Sequence, residues 1–217
     1  YWLTTPVAKI KKGCVFHEKY IALYVEVPDE PEKVIGNELG VYTGYRKLLA
    51  TSGGAFYGIE MRSVCARVRR TRPGSKGKLR AQRARKQYIN KAAKALPWAE
   101  LRMIAVEDLS GLKLRTQRKD KSTKASRKTM APWTYRQVIS RIEQLAQENR
   151  VRLVYVDPRN TSRRCPACGG VAKENRVAEM FRCVRCNHSA DADTVGAVNI
   201  LARATGNWQD PMVPASS

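Results

Sequence analysis

Four cysteines constrain this chain more than any other feature. Cys165 with Cys168 and Cys183 with Cys186 form two CxxC pairs, with fourteen residues between the pairs. Each pair presents two thiolates from a tight turn, and two such turns complete a tetrahedron around Zn²⁺, the pattern of a zinc ribbon. A redox dithiol is the rival reading, and two paired motifs favour zinc over it. His188, just past Cys186, is predicted to be a local hydrogen-bonding residue, since four thiolates already complete a site. Asp191 and Asp193 follow at once, at the mouth of an apolar, Ala-rich helix predicted over Val195 to Ala204. A carboxylate there suits both the helix dipole and a divalent ion.

The rest of the composition points to a polyanionic partner. The chain has 217 residues, a formal net charge of +22 and a sequence pI near 10.1. A solvated surface does not need that excess, which favours nucleic acid. A membrane is disfavoured: no run of about eighteen apolar residues and no secretory signal is visible. Cys14 and Cys65, left over from the two pairs, are predicted to be buried thiols in a reducing, intracellular setting. The length suits one main domain with a small appendage. The start at Tyr1, without Met, reads as a C-terminal portion, a processed chain or a trimmed one.

In chain order, residues 1–33 read as β, with Tyr20 to Val27 as a strand and Lys11-Lys12-Gly13 as a turn before Cys14. His17 lies on this segment with no evident partner. Val34 to Gly40 is predicted as a buried strand ending in Glu38 and a glycine turn. Lys47–Thr51 and Ala55–Glu60 then form a hairpin around Ser52-Gly53-Gly54. Arg62 to Leu96 is helical in composition and holds thirteen Lys or Arg and no acid. Pro73-Gly74-Ser75 divides it into two helices. Single-sign charge of this kind favours phosphate contact, with Arg62, Arg67, Arg69, Arg70, Arg80 and Arg83 as candidates. Leu101 to Leu109 is apolar on both faces, hence a covered, parallel strand, and it closes on Glu107-Asp108. Residues 113–128 are polar and basic, and read either as a loop that orders on nucleic acid, with Lys113 and Arg115 as candidates, or as a plain linker. Trp133–Asn149 reads as a helix, Val151–Val156 as a strand, and the tail after Gly206 as unstructured.

The predicted fold class is thus α/β, a mixed sheet flanked by helices. Such a sheet can gather Glu38, Glu107 and Asp193, which stand at two strand ends and a helix start. Three carboxylates at one point repel unless cations neutralise them. Two Mg²⁺ or Mn²⁺ ions about 3.5–4 Å apart would do so, and would clamp the attacking water and the leaving oxygen of a phosphodiester.

The run DPRNTSRRCPACGGVAKENR, followed by FRCVRCNHSADADTVGAVNILARA, resembles the C-terminal part of the transposon-encoded TnpB (OrfB) family. These are RNA-guided DNA endonucleases related to type V CRISPR effectors. IAVEDLSGL resembles their second RuvC motif and VIGNELGVYTG their first. The resemblance implies an RNase H-like RuvC domain at 34–160, a zinc ribbon that binds target nucleic acid at 161–189, and the last RuvC helix at 190–206. Residues 1–33 would end a guide-binding, wedge-like β domain, and 207–217 would be a tail. It assigns Glu107 and Asp193 to the second and third motifs, Asn199 to the end of the third, and Cys165, Cys168, Cys183 and Cys186 to zinc. The first motif departs: the family has Asp where this chain has Glu38, and commonly Asn where this chain has Val195. One added methylene moves a carboxylate by roughly 1.5 Å, which octahedral Mg²⁺ tolerates poorly. The expected activity is RNA-guided DNA cleavage at a two-metal site. The alternatives are an RNA-guided binder with impaired cleavage, which represses or recruits, and a zinc-ribbon nucleic-acid binder without catalysis. Guide RNA and target DNA are the expected partners, with an N-terminal portion or a second subunit. The expected location is the prokaryotic cytoplasm, at the nucleoid when bound to DNA. Glu38 turned away from Glu107 and Asp193 would leave a binder without chemistry.

Overall fold

Alternation along two strands explains the architecture. On β3 (Asn37–Thr43), Val41 is fully buried among helices on one face, and Gly40 and Tyr42 turn to the other. On β6 (Leu101–Glu107), Ile104 and Val106 join Val41 in that cluster, and Ala105 packs on the opposite face with Ile200. A sheet with apolar residues on both sides must be covered on both, which is why the helices divide between its faces.

The computed structural model describes residues 9–18, 20–26, 31–109 and 135–208. It divides into two compact units, Tyr1–Glu32 and Lys33–Ser217. The first is an antiparallel hairpin of β1 (Lys9–His17) and β2 (Tyr20–Glu26), closed between His17 and Tyr20. The register slips between Ile10 and Cys14, so Lys11-Lys12-Gly13 is an irregularity within a strand and not the predicted turn. Cys14 is exposed, against the expectation of a buried thiol, whereas Cys65 is buried.

The second unit holds a five-stranded sheet in the order β5-β4-β3-β6-β7. β4 (Leu49–Thr51) and β5 (Phe56–Tyr57) run antiparallel to their neighbours, as the predicted hairpin requires. β6 lies parallel to both β3 and β7 (Arg152–Val156). The predicted strand Val34–Gly40 is shifted. Val34 and Ile35 are 84% and 88% exposed, and pairing starts only where Asn37 meets Leu101. Glu38 is therefore the second residue of β3 and not its end.

Three helices cover one face: α1 (Met61–Arg70), α2 (Lys76–Lys94) and α3 (Tyr135–Glu148). Pro73-Gly74-Ser75 separates α1 from α2 as predicted, and the Ser75 side chain caps α2 by accepting from the Lys78 amide at 3.1 Å. Met61, Cys65, Ile89, Val138 and Ile142 are fully buried against the strands. Each such side chain contributes about 1.5–3 kcal/mol. α4 (Ala192–Ala204) covers the other face. It lies so close to β3 that a Cβ on Gly40 would stand 2.1 Å from the Ala197 carbonyl oxygen, so only glycine fits there. Between β7 and α4, the strands β8 (Arg176–Val177), β9 (Met180–Arg182) and β10 (Ser189–Asp191) form a small antiparallel sheet. The predicted segment 113–128, residues 209–217 of the predicted tail 207–217, and Trp133 lie outside the described residues.

Candidate functional site

The four predicted cysteines converge. Cys165 Sγ lies 3.6 Å from Cys186 Sγ, and Cys168 Sγ lies 3.6 Å from Cys183 Sγ. Among the described residues they are the one group of three or more His, Cys, Asp or Glu whose ligand atoms all lie within 4.8 Å of one another. Tetrahedral zinc with Zn–S near 2.3 Å separates its sulfurs by about 3.8 Å, so the thiols fit that ion. Backbone amides build each turn: the Gly169 amide donates to the Cys165 carbonyl and the Asn187 amide to the Cys183 carbonyl, both at 2.9 Å. Asn187 holds φ at 57°, the left-handed value that asparagine tolerates. Burial pushes the Cys165 thiol up to about 12. At Cys183 burial acts the same way, but donors from Cys186 and Arg185 outweigh it and bring the thiol down to about 7. His188 engages through its backbone, its carbonyl accepting from the Cys183 amide at 2.8 Å. Beneath the turns Phe181 is fully buried against Cys165, Cys183, Ala192 and Val195, which seats this module on the start of α4.

Glu107 closes β6 and is 7% exposed. The Thr161 hydroxyl donates to its Oε1, and the Tyr135 hydroxyl donates to its backbone carbonyl. Burial raises the Glu107 carboxyl above the ordinary carboxylate range, against the pull of the Thr161 bond and of Arg176 and Arg203. Asp193, in the first turn of α4, is 6% exposed. Burial raises it too, opposed mainly by Arg176, whose Nη2 donates to Asp193 Oδ1 at 2.7 Å. Asp191 has a separate task. Its Oδ1 accepts from the amides of Asp193 and Thr194 at 3.0 and 3.1 Å, capping α4, and its other oxygen pairs with Lys47. Burial would raise the Asp191 carboxyl, but Lys47 and the helix amides hold it below its usual value.

Glu38 does not join Glu107 and Asp193. The parallel register pairs Glu38 with Met103, four residues before Glu107. At about 3.3 Å per residue, that separates the two by about 13 Å along the sheet. Glu38 instead forms a half-exposed ion pair with Arg102. Of the three expected carboxylates, Glu107 and Asp193 share the neighbourhood of Tyr42 and Arg176, while the register of β3 on β6 carries Glu38 away from it.

Val41 pairs with Val106, so the residue opposite Glu107 is the next one, Tyr42. Its hydroxyl accepts from Arg176 Nη1 at 3.3 Å, and the guanidinium carbon stands 5.4 Å from its ring centroid. Burial raises the Tyr42 phenol against the pull of Arg176, and Glu107 and Asp193 push it further, which marks it as a neighbour of both carboxylates. The ring occupies space that Gly196 leaves open: a Cβ there would meet Tyr42 Cδ2 at 2.7 Å. Tyr42, Tyr45, Arg46, Arg176, Glu179 and Asp193 line a cleft of about 210 Å³. Sequence reasoning missed Tyr42 and Arg176. The bracket of Gly40 and Gly44 around Tyr42 was the available signal, since it marks where β3 ends; nothing local singles out Arg176.

Asn199 is fully buried on α4 and donates to the carbonyls of Thr161 and Arg164, each at 2.7 Å. It thereby fixes the chain between β7 and the first cysteine pair. Of the basic residues on α1 and α2, Arg62, Arg67, Arg69, Arg70, Arg80 and Arg83 are all exposed. Arg85 in the same stretch is buried, and Lys78 donates to the Val68 carbonyl at 2.6 Å. Lys113 and Arg115 lie outside the described residues.

Residues 135–200 match the family described as Cas12f1-like, TNB domain. A Cas12f1 CRISPR-associated endodeoxyribonuclease of Sulfoacidibacillus thermotolerans is 36% identical over 69 residues, 31% of this chain and 16% of that protein. A TnpB-like protein of Methanocaldococcus jannaschii is 27% identical over 137 residues, 61% of this chain and 48% of that protein. The matches thus span less than half the length of these curated relatives. Among solved structures, a Cas12f1–sgRNA–target DNA complex has a TM-score of 0.52 at 20% identity, covering 89% of this chain and 55% of that one. Fold and matches together define the class, a mixed α/β protein whose fold is similar to that of Cas12f1. Over part of its length the sequence is similar to TnpB-like and Cas12f1 proteins, in keeping with its motifs.

Proposed function

We propose that this chain works in RNA-guided DNA binding and holds its target without cutting it. One observation carries this reading: the strand position opposite Glu107 holds Tyr42, a phenol, and Arg176 ties that phenol to Asp193. Two-metal hydrolysis needs oxygen anions gathered around a pair of Mg²⁺ or Mn²⁺ ions, in near-ideal octahedral geometry for Mg²⁺. Two carboxylates, a phenol whose pKa burial has raised and a guanidinium do not fit such a pair. No hydrolytic step is therefore drawn through it, and Glu38 is too distant to restore one.

The remaining parts suit a binder. The sheet order β5-β4-β3-β6-β7, with β4 reversed, supports an RNase H-like core of the RuvC type. The four thiols suit one structural zinc, which would make β8–β10 a zinc ribbon. The hairpin of β1 and β2 then reads as the end of a wedge-like guide-binding domain. Exposed arginines on α1 and α2 offer a single-sign surface for phosphates. Guide RNA and target DNA enter this reading by kinship, since the similar Cas12f1 structure is a complex with both. The cytoplasm of a prokaryote, with the nucleoid as the bound location, follows from the same kinship. Among the described residues no helix is long and apolar enough to cross a membrane.

Small RNA that co-purifies with the protein, once sequenced, supplies the guide. With it, retention of matched over mismatched duplex DNA and cutting in Mg²⁺ are measured on the same sample. Selective retention is expected, with cutting no greater than that of Glu107→Gln. Guide-dependent cutting that Glu107→Gln abolishes would overturn the reading.

A further inference from the structure

We propose that Arg176 is an internal latch. Delivered by the β8–β9 hairpin, next to the cysteines, it takes the electrostatic place of a metal ion and fastens that hairpin onto the five-stranded sheet. The proposal rests on the reading of a lost two-metal site and adds that the loss is double. An acid introduced at position 42 would still not recruit a divalent cation.

The backbone of Arg176 is registered by the metal module. Arg176 opens β8 and pairs with Phe181 on β9, and Phe181 is fully buried beneath Cys165 and Cys183. The side chain then leaves its own sheet. Nη1 donates to the Tyr42 hydroxyl at 3.3 Å, Nη2 to Asp193 Oδ1 at 2.7 Å, and Nε to the Ala178 carbonyl at 3.3 Å. All three guanidinium nitrogens are engaged, and three distinct elements, β3, α4 and the β8–β9 turn, meet on one cation. Its charge lowers the Glu107 and Asp193 carboxyls against the effect of their burial. Two buried acids need a compensating cation, and the protein supplies one that cannot lose its proton.

A second ion pair lies beside the first, since Arg46 Nη1 stands 3.1 Å from Glu179 Oε1. It too joins the segment after β3 to the turn of the hairpin, at the mouth of the same cleft. A divalent ion approaching Asp193 would have to displace Arg176. Replacing Tyr42 by Asp would place a second carboxylate against the same guanidinium. Arginine binds carboxylates in a forked, charge-assisted geometry, so that change alone strengthens the latch.

The test is a Mn²⁺ titration of the zinc-loaded chain without nucleic acid, followed by the electron paramagnetic resonance of free Mn²⁺. Wild type, Tyr42→Asp, Arg176→Gln and the double variant are compared at equal zinc content. Tyr42→Asp alone is expected to stay within about twofold of wild type, and the double variant to bind Mn²⁺ at least about tenfold tighter, because one fixed positive charge is removed and one negative charge added. Tyr42→Asp binding as tightly as the double variant, or a double variant no better than wild type, would overturn the latch. Should the double variant not fold, hydrogen exchange of Arg176→Gln decides. Amides of 176–182 are expected to exchange faster while those of 101–107 are unchanged, and equal protection at 176–182 would refute the fastening. Guided cutting by the wild-type chain would instead refute the binder reading, so the two failures are distinguishable.

Discussion

Removing Arg176 should destabilise the fold in a way that depends on pH. In the Arg176–Asp193 pair, the side chains are 24% and 9% exposed. Breaking a fully buried pair from one side costs about 3–5 kcal/mol. With Arg176 a quarter exposed, solvent screening reduces this to about 2–3 kcal/mol for Arg176→Gln. The direction with pH follows from Asp193. Its folded carboxyl already sits above the ordinary value because of burial, and Arg176 restrains that rise. Without Arg176 the folded pKa rises further, while the unfolded pKa is unchanged. The variant then binds more protons when folded than wild type does across the carboxylate range, so its deficit grows as pH rises through that range. The electrostatic part of the deficit is complete at neutral pH. It is lost as pH falls through the folded pKa of Asp193. Urea unfolding of zinc-saturated wild type and Arg176→Gln at intervals from pH 8 to pH 4.5 measures this. With a urea slope of about 2 kcal/mol/M, the neutral midpoint should fall by about 1–1.5 M. A deficit below about 0.5 kcal/mol at neutral pH, or one unchanged on acidification, would show that Arg176 is not the counter-charge of Asp193.

Three further outcomes follow from the same geometry. Metal analysis should find one zinc per chain, and Cys183→Ser should lose it together with the protection of the β8–β10 amides. A folded sample without metal would break that assignment. Asn199→Ala should cost about 2–3 kcal/mol by chemical denaturation, since two buried carbonyls lose their donor, and a cost below about 1 kcal/mol would mean that water replaces it. Glu38→Gln should change stability by less than about 1 kcal/mol, because it removes one partly exposed pair, and should leave Mn²⁺ binding unaltered. Weakened Mn²⁺ binding in that variant would return Glu38 to the site.

What was legible in the sequence was whatever rests on short-range pattern. The two CxxC pairs announced a convergence of thiols because each knuckle is a local turn. Pro73-Gly74-Ser75 divided the basic stretch because proline breaks a helix wherever it falls. Leu101 to Glu107 declared a covered strand because apolar residues on both faces need cover on both. The irregularity at Lys11-Lys12-Gly13 was misread as a turn because a glycine after two lysines suits either, and only the partner strand distinguishes them.

The site was partly illegible for a different reason. Whether a residue reaches a cluster depends on the register between strands separated by more than fifty residues, which no local pattern encodes. Glu38 and Tyr42 share one parity on β3, so alternation alone cannot choose between them. The choice falls to the register of β3 on β6, which is fixed by a shift between Asn37, opposite Leu101, and Glu38, opposite Met103. Four residues of offset exchange a carboxylate for a phenol at the place opposite Glu107. The nature of the incoming cation then changes as well. A trio of acids would require metal ions, whereas a pair beside a phenol can be satisfied by one arginine carried on a neighbouring hairpin. Tyr42 and Arg176 are thus parts of a single substitution of charge. The space that Gly196 leaves for the Tyr42 ring shows that α4 is shaped to the same arrangement.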